Sequence, residues 1–450
     1  LATSATIASA TQYESASVII DWNQLAQKNV TGQPFTQVRQ YAMIHIAMAD
    51  AVVAIDGRYE AFMVPSRAPR GASAKAAAAQ AAHDVLVYLN PASTVAADAQ
   101  LATDLTGIPP GPKATGVQVG KKVAAWVIAE RANDGADQAT SNPGAPPAAG
   151  QPPNPGTPLI DPSTLPGIWH QTFSGPAVYS GWGKAEPFAV LSPTQFLPEA
   201  FPQLESARYA TDVNEVKGNK RPATLPTLPE DYSYGQRTAL LWAGGMASGV
   251  TRTSPPVPTP FVNVTNPFRL WFNVTRDLSQ QDHLSLVKTA RLYALVAASI
   301  HDSLQTAHTS KFIYRLWRPE IAIPNADQDN NPATDADTTW VPLLITPPYP
   351  SHSSNMTCIG AGAARMLGNV LGTDAKSYTA VWYKDNSAAP PVVFKENFTS
   401  IKALAVHEGN SRVWGGIHFR FELDASHKAC AAVADYIFDN KMQADHFRHW

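Results

Sequence analysis

Gln281-Asp-His-Leu-Ser-Leu286-Val-Lys-Thr-Ala-Arg-Leu-Tyr-Ala-Leu-Val-Ala-Ala-Ser-Ile300-His-Asp-Ser-Leu-Gln-Thr-Ala-His308-Thr-Ser-Lys311-Phe-Ile-Tyr-Arg-Leu316 is the stretch that decides the fold class. Leu286, Val287, Ala290, Tyr293, Ala294, Ala297 and Ile300 fall on one stripe at helical spacing, which predicts a long helix or a helix pair over Gln281–Leu316. The same period recurs on the C-terminal side, over Ser353–Leu371, Phe398–Val413 and Phe419–Phe438, the last with a stripe of Phe421, Ala425, Ala429, Ala432 and Tyr436. Towards the N-terminus it predicts helices over Tyr232–Ala247, Leu204–Val216, Val117–Asn133, Ala96–Leu105, Ser73–Leu89, Phe35–Ile55 and Ser17–Asn29. No period-2 run reaches sheet length; Thr338–Thr346 reads as a short extended segment after a polar loop at Asp327–Asp337. Asn142–Pro166 turns to Pro, Gly, Ala and Thr with Pro-Pro and Pro-Gly steps, so it is expected to be a long surface connection. The expectation is an all-α protein of two packed helical bundles with long Pro-rich loops. Its expected regions are a helical 1–141, a Pro-rich connection with a short helix at 142–230, and a C-terminal bundle at 231–450 that carries the chemistry.

Composition narrows the function. With a formal net charge of -2 and 16% charged residues over 450, the chain has no broad basic surface, which excludes nucleic acid as an expected partner. His, Gln or Arg interrupts each long apolar stretch, so no transmembrane segment is expected. The Ala/Ser/Thr-rich start at Leu1, without an apolar leader core, suits a mature secreted or periplasmic protein. Cys358 and Cys430 are the only cysteines, and they either pair in an oxidising compartment or remain two buried thiols. Five Asn-x-Ser/Thr sequons, Asn397-Phe-Thr399 among them, matter only in a eukaryotic secretory host.

Three short segments carry chemistry. Lys311 and Arg318 are seven residues apart and share a face if the helix runs through Trp317 to Pro319; two cations on one face ask for an anion, and a guanidinium matches a tetrahedral one. Pro350-Ser351-His352-Ser353 precedes an apolar helical run, which puts small hydroxyl residues and a histidine at a helix N-terminus. Ser411-Arg412 is followed by Gly415-Gly416 and His418, with Glu422 one turn further on and able to orient the imidazole. Each has a plainer reading: a snorkelling helix end, an ordinary serine cap, a satisfied core histidine. All three plain readings would have to coincide for the set to mean nothing.

Taken in order, Lys311-x6-Arg318-Pro319, Pro350-Ser351-His352-Ser353 and Ser411-Arg412-x5-His418 resemble the motifs of the vanadium-dependent haloperoxidases, bacterial type, and of the related type 2 phosphatidic acid phosphatases. The family pattern is Lys-x6-Arg-Pro, Pro-Ser-Gly-His and Ser-Arg-x5-His-x3-Asp. Pro187-Phe188, Phe201–Lys217, Trp271–Ile300 and Asn331–Trp340 add to the likeness, which spans Gly181 to Tyr436. It implies a haloperoxidase-like fold and a vanadate site, with phosphate able to occupy the same place. Lys311, Arg318 and Arg412 would hold the equatorial oxygens, Ser351, His352 and Ser353 would add contacts, and His418 would be the axial vanadium ligand. Glu422, where Asp is usual, and His308, at an aromatic position, would stand behind these groups. Lys311, His352 and His418 would be the catalytic set, hydrogen peroxide, a bromide or chloride ion and a small organic molecule the reactants, and a homodimer the assembly. The middle motif departs from the family: Ser-His-Ser replaces Ser-Gly-His, and Trp242-Ala-Gly-Gly245 lacks the Asp that pairs with the family's acid–base histidine. Two other readings stay open: an acid phosphatase with a phosphohistidine at His418 and His352 as the acid, and a secreted helical protein that binds an oxyanion without turnover.

Overall fold

The computed structural model describes residues 14–69, 71–137, 165–170, 177–226, 228–244, 265–383 and 393–445. Most of the expected Asn142–Pro166 connection, and Gly245 of the Trp242 segment, lie outside these residues.

Thirteen α-helices are present among the described residues. Five come first: α1 Ser17–Asn29, α2 Pro34–Asp56, α3 Ala74–Leu89, α4 Thr94–Leu105 and α5 Pro110–Arg131. After α6 Ala207–Lys217 and α7 Tyr234–Gly244 come α8 Pro267–Gln281, the long α9 Leu286–Tyr314 and the one-turn α10 Pro319–Ala322. The series ends with α11 Asn355–Leu371, α12 Ile401–Trp414 and α13 Arg420–Asn440. α2, α3 and α5 pack on one another, as do α9, α11 and α13 with α12 against α11, and α2 meets α9 where the two groups join. The all-α expectation holds.

Local chemistry explains the boundaries. Ser73, Ser206, Asn266, Ser354 and Ser400 cap α3, α6, α8, α11 and α12, each side chain accepting a backbone N–H of the first turn. α2 is long and apolar enough to cross a membrane by composition, but 89% of its apolar window is buried, so it is a core helix here. α8 was not expected from the sequence. Its Pro267 at the first turn and buried Phe268, Trp271, Phe272 and Val274 mark an amphipathic helix.

Two buried aspartates fasten loops to the helices. Asp50 of α2 accepts the N–H groups of Phe62, Met63 and Val64 at 2.6–2.9 Å. Asp302 of α9 does the same for Phe188, Ala189 and Val190 at 2.8–3.1 Å, pinning the Pro187-Phe188 segment to the central helix.

Three differences from the sequence reading have physical causes. Tyr378–Tyr383 (β1) pairs antiparallel with Val393–Phe398 (β2), Tyr378 opposite Phe398, although no sheet was expected. Ala380 and Trp382 are buried while Val381 and Tyr383 keep apolar or aromatic groups on the outer face, so a binary alternation does not show. On α13 Phe421 and Ala429 of the expected stripe are buried, but Ala425, Ala432 and Tyr436 are only partly so; Glu422, Ser426, Cys430, Val433 and Ile437 also face inward, because polar Glu422 and Ser426 have partners inside. α9 stops at Tyr314, where Arg315 takes φ 55° and its N–H closes on Lys311 O at 2.8 Å, so Lys311 and Arg318 do not share a helical face. Of the two alternatives left open for the cysteines, the structure takes pairing: Cys358 and Cys430 form a disulfide between α11 and α13.

Candidate functional site

The turn at Arg315 ends α9 and leads into the strand-like Leu316–Arg318 segment. Trp317 N–H bonds Gly167 O and Ser351 N–H bonds Leu316 O, fixing the strap on both sides. Arg318 is extended just before Pro319, with Nε donating to Tyr349 O at 3.0 Å and Nη1 to Ile417 O at 2.7 Å. Lys311 Nζ donates to Ser351 O at 2.7 Å and also to Ser353 O. The Tyr349 ring is close to both cations, 5.2 Å from Lys311 Nζ and 5.2 Å from the Arg318 guanidinium carbon. Both cations thus converge on the 349–353 loop by different routes.

Arg412, in the last turn of α12, is buried, with Nε donating to Ser411 Oγ at 2.9 Å. Gly416, at φ 76°, turns the chain sharply back, a conformation a side chain resists, and delivers His418. His418 Nε2 stands 3.0 Å from Arg318 Nη1, and its Nδ1 2.9 Å from Glu422 Oε2. A guanidinium only donates, so Nε2 carries the lone pair and Nδ1 the proton. Glu422 Oε2 also accepts Ser351 Oγ–H at 2.9 Å and Phe419 N–H at 2.7 Å.

The electrostatics are those of a cation cluster short of an anion. Lys311, Arg318, Arg412 and His418 are all buried. Burial, then Arg318, drives the Lys311 ammonium well down. Burial followed by the charges of Arg318, Lys311 and Arg412 keeps His418 neutral, well below the usual imidazole range. Arg412 is lowered to about 10 by burial, and Glu422 is raised to about 7 by burial against the pull of Lys311 and Arg318. Nη2 of Arg318 and Nη2 of Arg412 are buried with no hydrogen-bond partner among the described residues. Unpaired buried guanidinium donors are costly, and a tetrahedral oxyanion supplies the acceptors they lack. Lys311 has spent two of its three donors, leaving one. The donor set therefore fits vanadate or phosphate.

The middle motif behaves differently from the rest. Ser351 spends its hydroxyl on Glu422 and reaches the site through that carboxylate. His352 turns towards Phe201, Tyr314 and Phe421, and its Nε2 lies 2.6 Å from Glu199 O, with Nδ1 unpartnered among the described residues. Ser353 Oγ pairs with Ser310 Oγ at 3.1 Å. The loop's carbonyls, not its histidine, hold Lys311. His308 packs on Phe35, Phe312 and Tyr349, and bonds Tyr179 O at 3.1 Å and Asn355 at 3.3 Å, behind the cation pair. Sequence reasoning missed Tyr349, and its position two residues before Ser351 was the available signal.

Residues 291–446 match the family model described as the VCPO second helical-bundle domain. Among solved structures, the first bacterial vanadium-dependent iodoperoxidase superposes with a TM-score of 0.72 at 19% identity, covering 96% of this chain and 97% of that one. A holo-type bacterial vanadium-dependent chloroperoxidase gives 0.63 at 14% identity, with 91% and 93% covered. Its apo-type counterpart gives 0.61 at 14%, with 91% and 94% covered. No curated protein matches by sequence. The chain has the fold of the bacterial vanadium haloperoxidases. The match over residues 291–446 and the shared fold agree with the resemblance of the three motifs.

Proposed function

We propose that this protein is a vanadate-dependent peroxidase of the haloperoxidase type, using hydrogen peroxide to oxidise a halide. The observation that carries this reading is the pair of buried, unpartnered Nη2 donors of Arg318 and Arg412 beside a neutral imidazole whose Nε2 lone pair is directed by Glu422. Arg318, Arg412 and the third donor of Lys311 would hold the oxygens of the anion, and His418 Nε2 would be the ligand to vanadium. When bound, vanadate supplies the redox chemistry that activates peroxide towards a halide. The protein's share is charge: three cations in a dry site stabilise negative charge on the bound oxygens, and Glu422 keeps the His418 proton on Nδ1. The bacterial iodoperoxidase and chloroperoxidases of the same fold support the reaction class.

The phosphatase reading needs a proton donor for the leaving group. His352, the candidate, has its Nε2 bonded to Glu199 O, so that nitrogen is not free for a leaving group, which weighs against the phosphatase. Reconstitution tests the proposal. Metal-free protein with peroxide should oxidise iodide or bromide only after orthovanadate is added; equal rates with and without it, or no rate at saturating vanadate, would overturn the reading. A burst of aryl-phosphate hydrolysis lost in His418→Ala would instead support the phosphatase.

A further inference from the structure

Glu408 is a buried carboxyl for which the oxyanion reading has no use. It lies on α12 one turn before Arg412 and is fully buried. Oε2 accepts the indole N–H of Trp271 from α8 at 2.7 Å, while Oε1 has no hydrogen-bond partner among the described residues. Its seat is close: α11 presents Gly360, where a Cβ would lie 2.2 Å from Oε2 and 3.1 Å from the carboxyl carbon, so any side chain there would have to displace the carboxyl.

Trp271 and Gly360 bring no charge, and Arg412 is the one charged group whose field acts on Glu408 from the elements packed around it. No ion pair or hydrogen bond joins the two side chains, and Arg412 Nη2 is itself without a partner among the described residues. A carboxylate and a guanidinium one turn apart in a low-dielectric interior attract strongly when both are charged. Their separation is what a neutral acid would show. Burial does push the Glu408 carboxyl up, to about 8.

We propose that Glu408 is a positioning residue for Arg412: protonated, it leaves the guanidinium unclaimed for a bound oxyanion, and ionised, it competes with that anion. The inference rests on the oxyanion reading of the site and adds to it a built-in dependence of anion affinity on pH.

Calorimetric titration of the full chain with inorganic phosphate, at about pH 6.5 and about pH 9, tests this on the wild type and Glu408→Gln. Glutamine keeps an oxygen for the Trp271 N–H and never ionises. The two proteins should bind alike at the lower pH, while at the higher pH, where about a tenth of Glu408 stays protonated, the wild type should bind up to about tenfold more weakly than Glu408→Gln. Ionisation of phosphate and of the other site groups is common to both and cancels. Identical affinity ratios at the two pH values would overturn the role of Glu408 and leave the site reading standing; no phosphate binding to the wild type at either pH would overturn both. Should Glu408→Gln fail to fold, proton uptake by the wild type decides. Measured in two buffers of different ionisation enthalpy, uptake on phosphate binding should rise through about pH 8, and its absence there would overturn the proposal.

Discussion

His418 Nδ1 lies 2.9 Å from Oε2 of Glu422, four residues on and in the first turn of α13, and this contact sets which imidazole nitrogen is available to a ligand. The same carboxylate oxygen takes the Ser351 hydroxyl and the Phe419 N–H, so one side chain ties the 350–354 loop, the His418 turn and the start of α13 into a single frame.

Glu422→Gln removes the charge that holds the Nδ1 proton while keeping the length. Affinity for orthovanadate should fall by about 10–100-fold, the usual cost of losing the partner behind a ligand histidine, with the helical circular-dichroism signal unchanged. Competition titration against phosphate measures it, and wild-type affinity would show that Glu422 does not act on the ligand.

Arg412→Met should move stability and binding in opposite directions. The buried guanidinium carries an unpartnered Nη2 and, lowered to about 10 by burial, is a strained cation in the anion-free protein. The variant should melt at an equal or higher temperature than the wild type without anion, and should lose the rise in Tm that saturating phosphate gives the wild type. A variant still stabilised by phosphate to the same extent would place the anion elsewhere.

The Cys358–Cys430 bridge closes 72 residues of sequence and joins α11, which begins at the 350–354 loop, to α13, which carries Glu422. Replacing both cysteines with alanine should cost about 2–5 kcal/mol of stability, measured by denaturant unfolding. Equal midpoints with and without reductant in the wild type would mean that the bridge contributes nothing.

His308 is buried against aromatic rings and held down to about 3 by burial, with Lys311 adding to the effect. Its folded value lies below the unfolded one, so its contribution to stability is present above about pH 6.5 and is lost as pH falls towards 3, at up to about 1.4 kcal/mol per pH unit. His308→Phe keeps the ring, loses the bond to Tyr179 O, and should be somewhat less stable at neutral pH but less acid-sensitive. Tm measured from about pH 7 to 4 should show the two curves converging; parallel curves would contradict the assignment.

The helices and the cation set were legible because each rests on a local pattern. The apolar stripe of α9 is a period of one helix, and Lys311, Arg318, Arg412 and His418 are residue types whose chemistry is plain at fixed spacing. What depended on tertiary context was not. A left-handed turn at Arg315, a non-glycine residue, breaks the helix between Lys311 and Arg318, and no propensity announces it. His352 was read as an acid–base group from its type, but its direction is decided by Glu199 and Phe201, about 150 residues away in sequence. Glu408 looks like an ordinary helix carboxylate until Gly360 and Trp271 close over it. The pairing of Cys358 with Cys430 likewise needed the packing of α11 on α13 to be known.

The most direct test of the central claim is a crystal structure of the protein soaked with orthovanadate. The account predicts density bonded to His418 Nε2, within hydrogen-bond reach of Arg318 Nη2 and Arg412 Nη2, with the contact between His418 Nε2 and Arg318 Nη1 given up. Vanadate bound elsewhere, or a site in which His418 Nε2 still accepts from Arg318 at saturating vanadate, would contradict it.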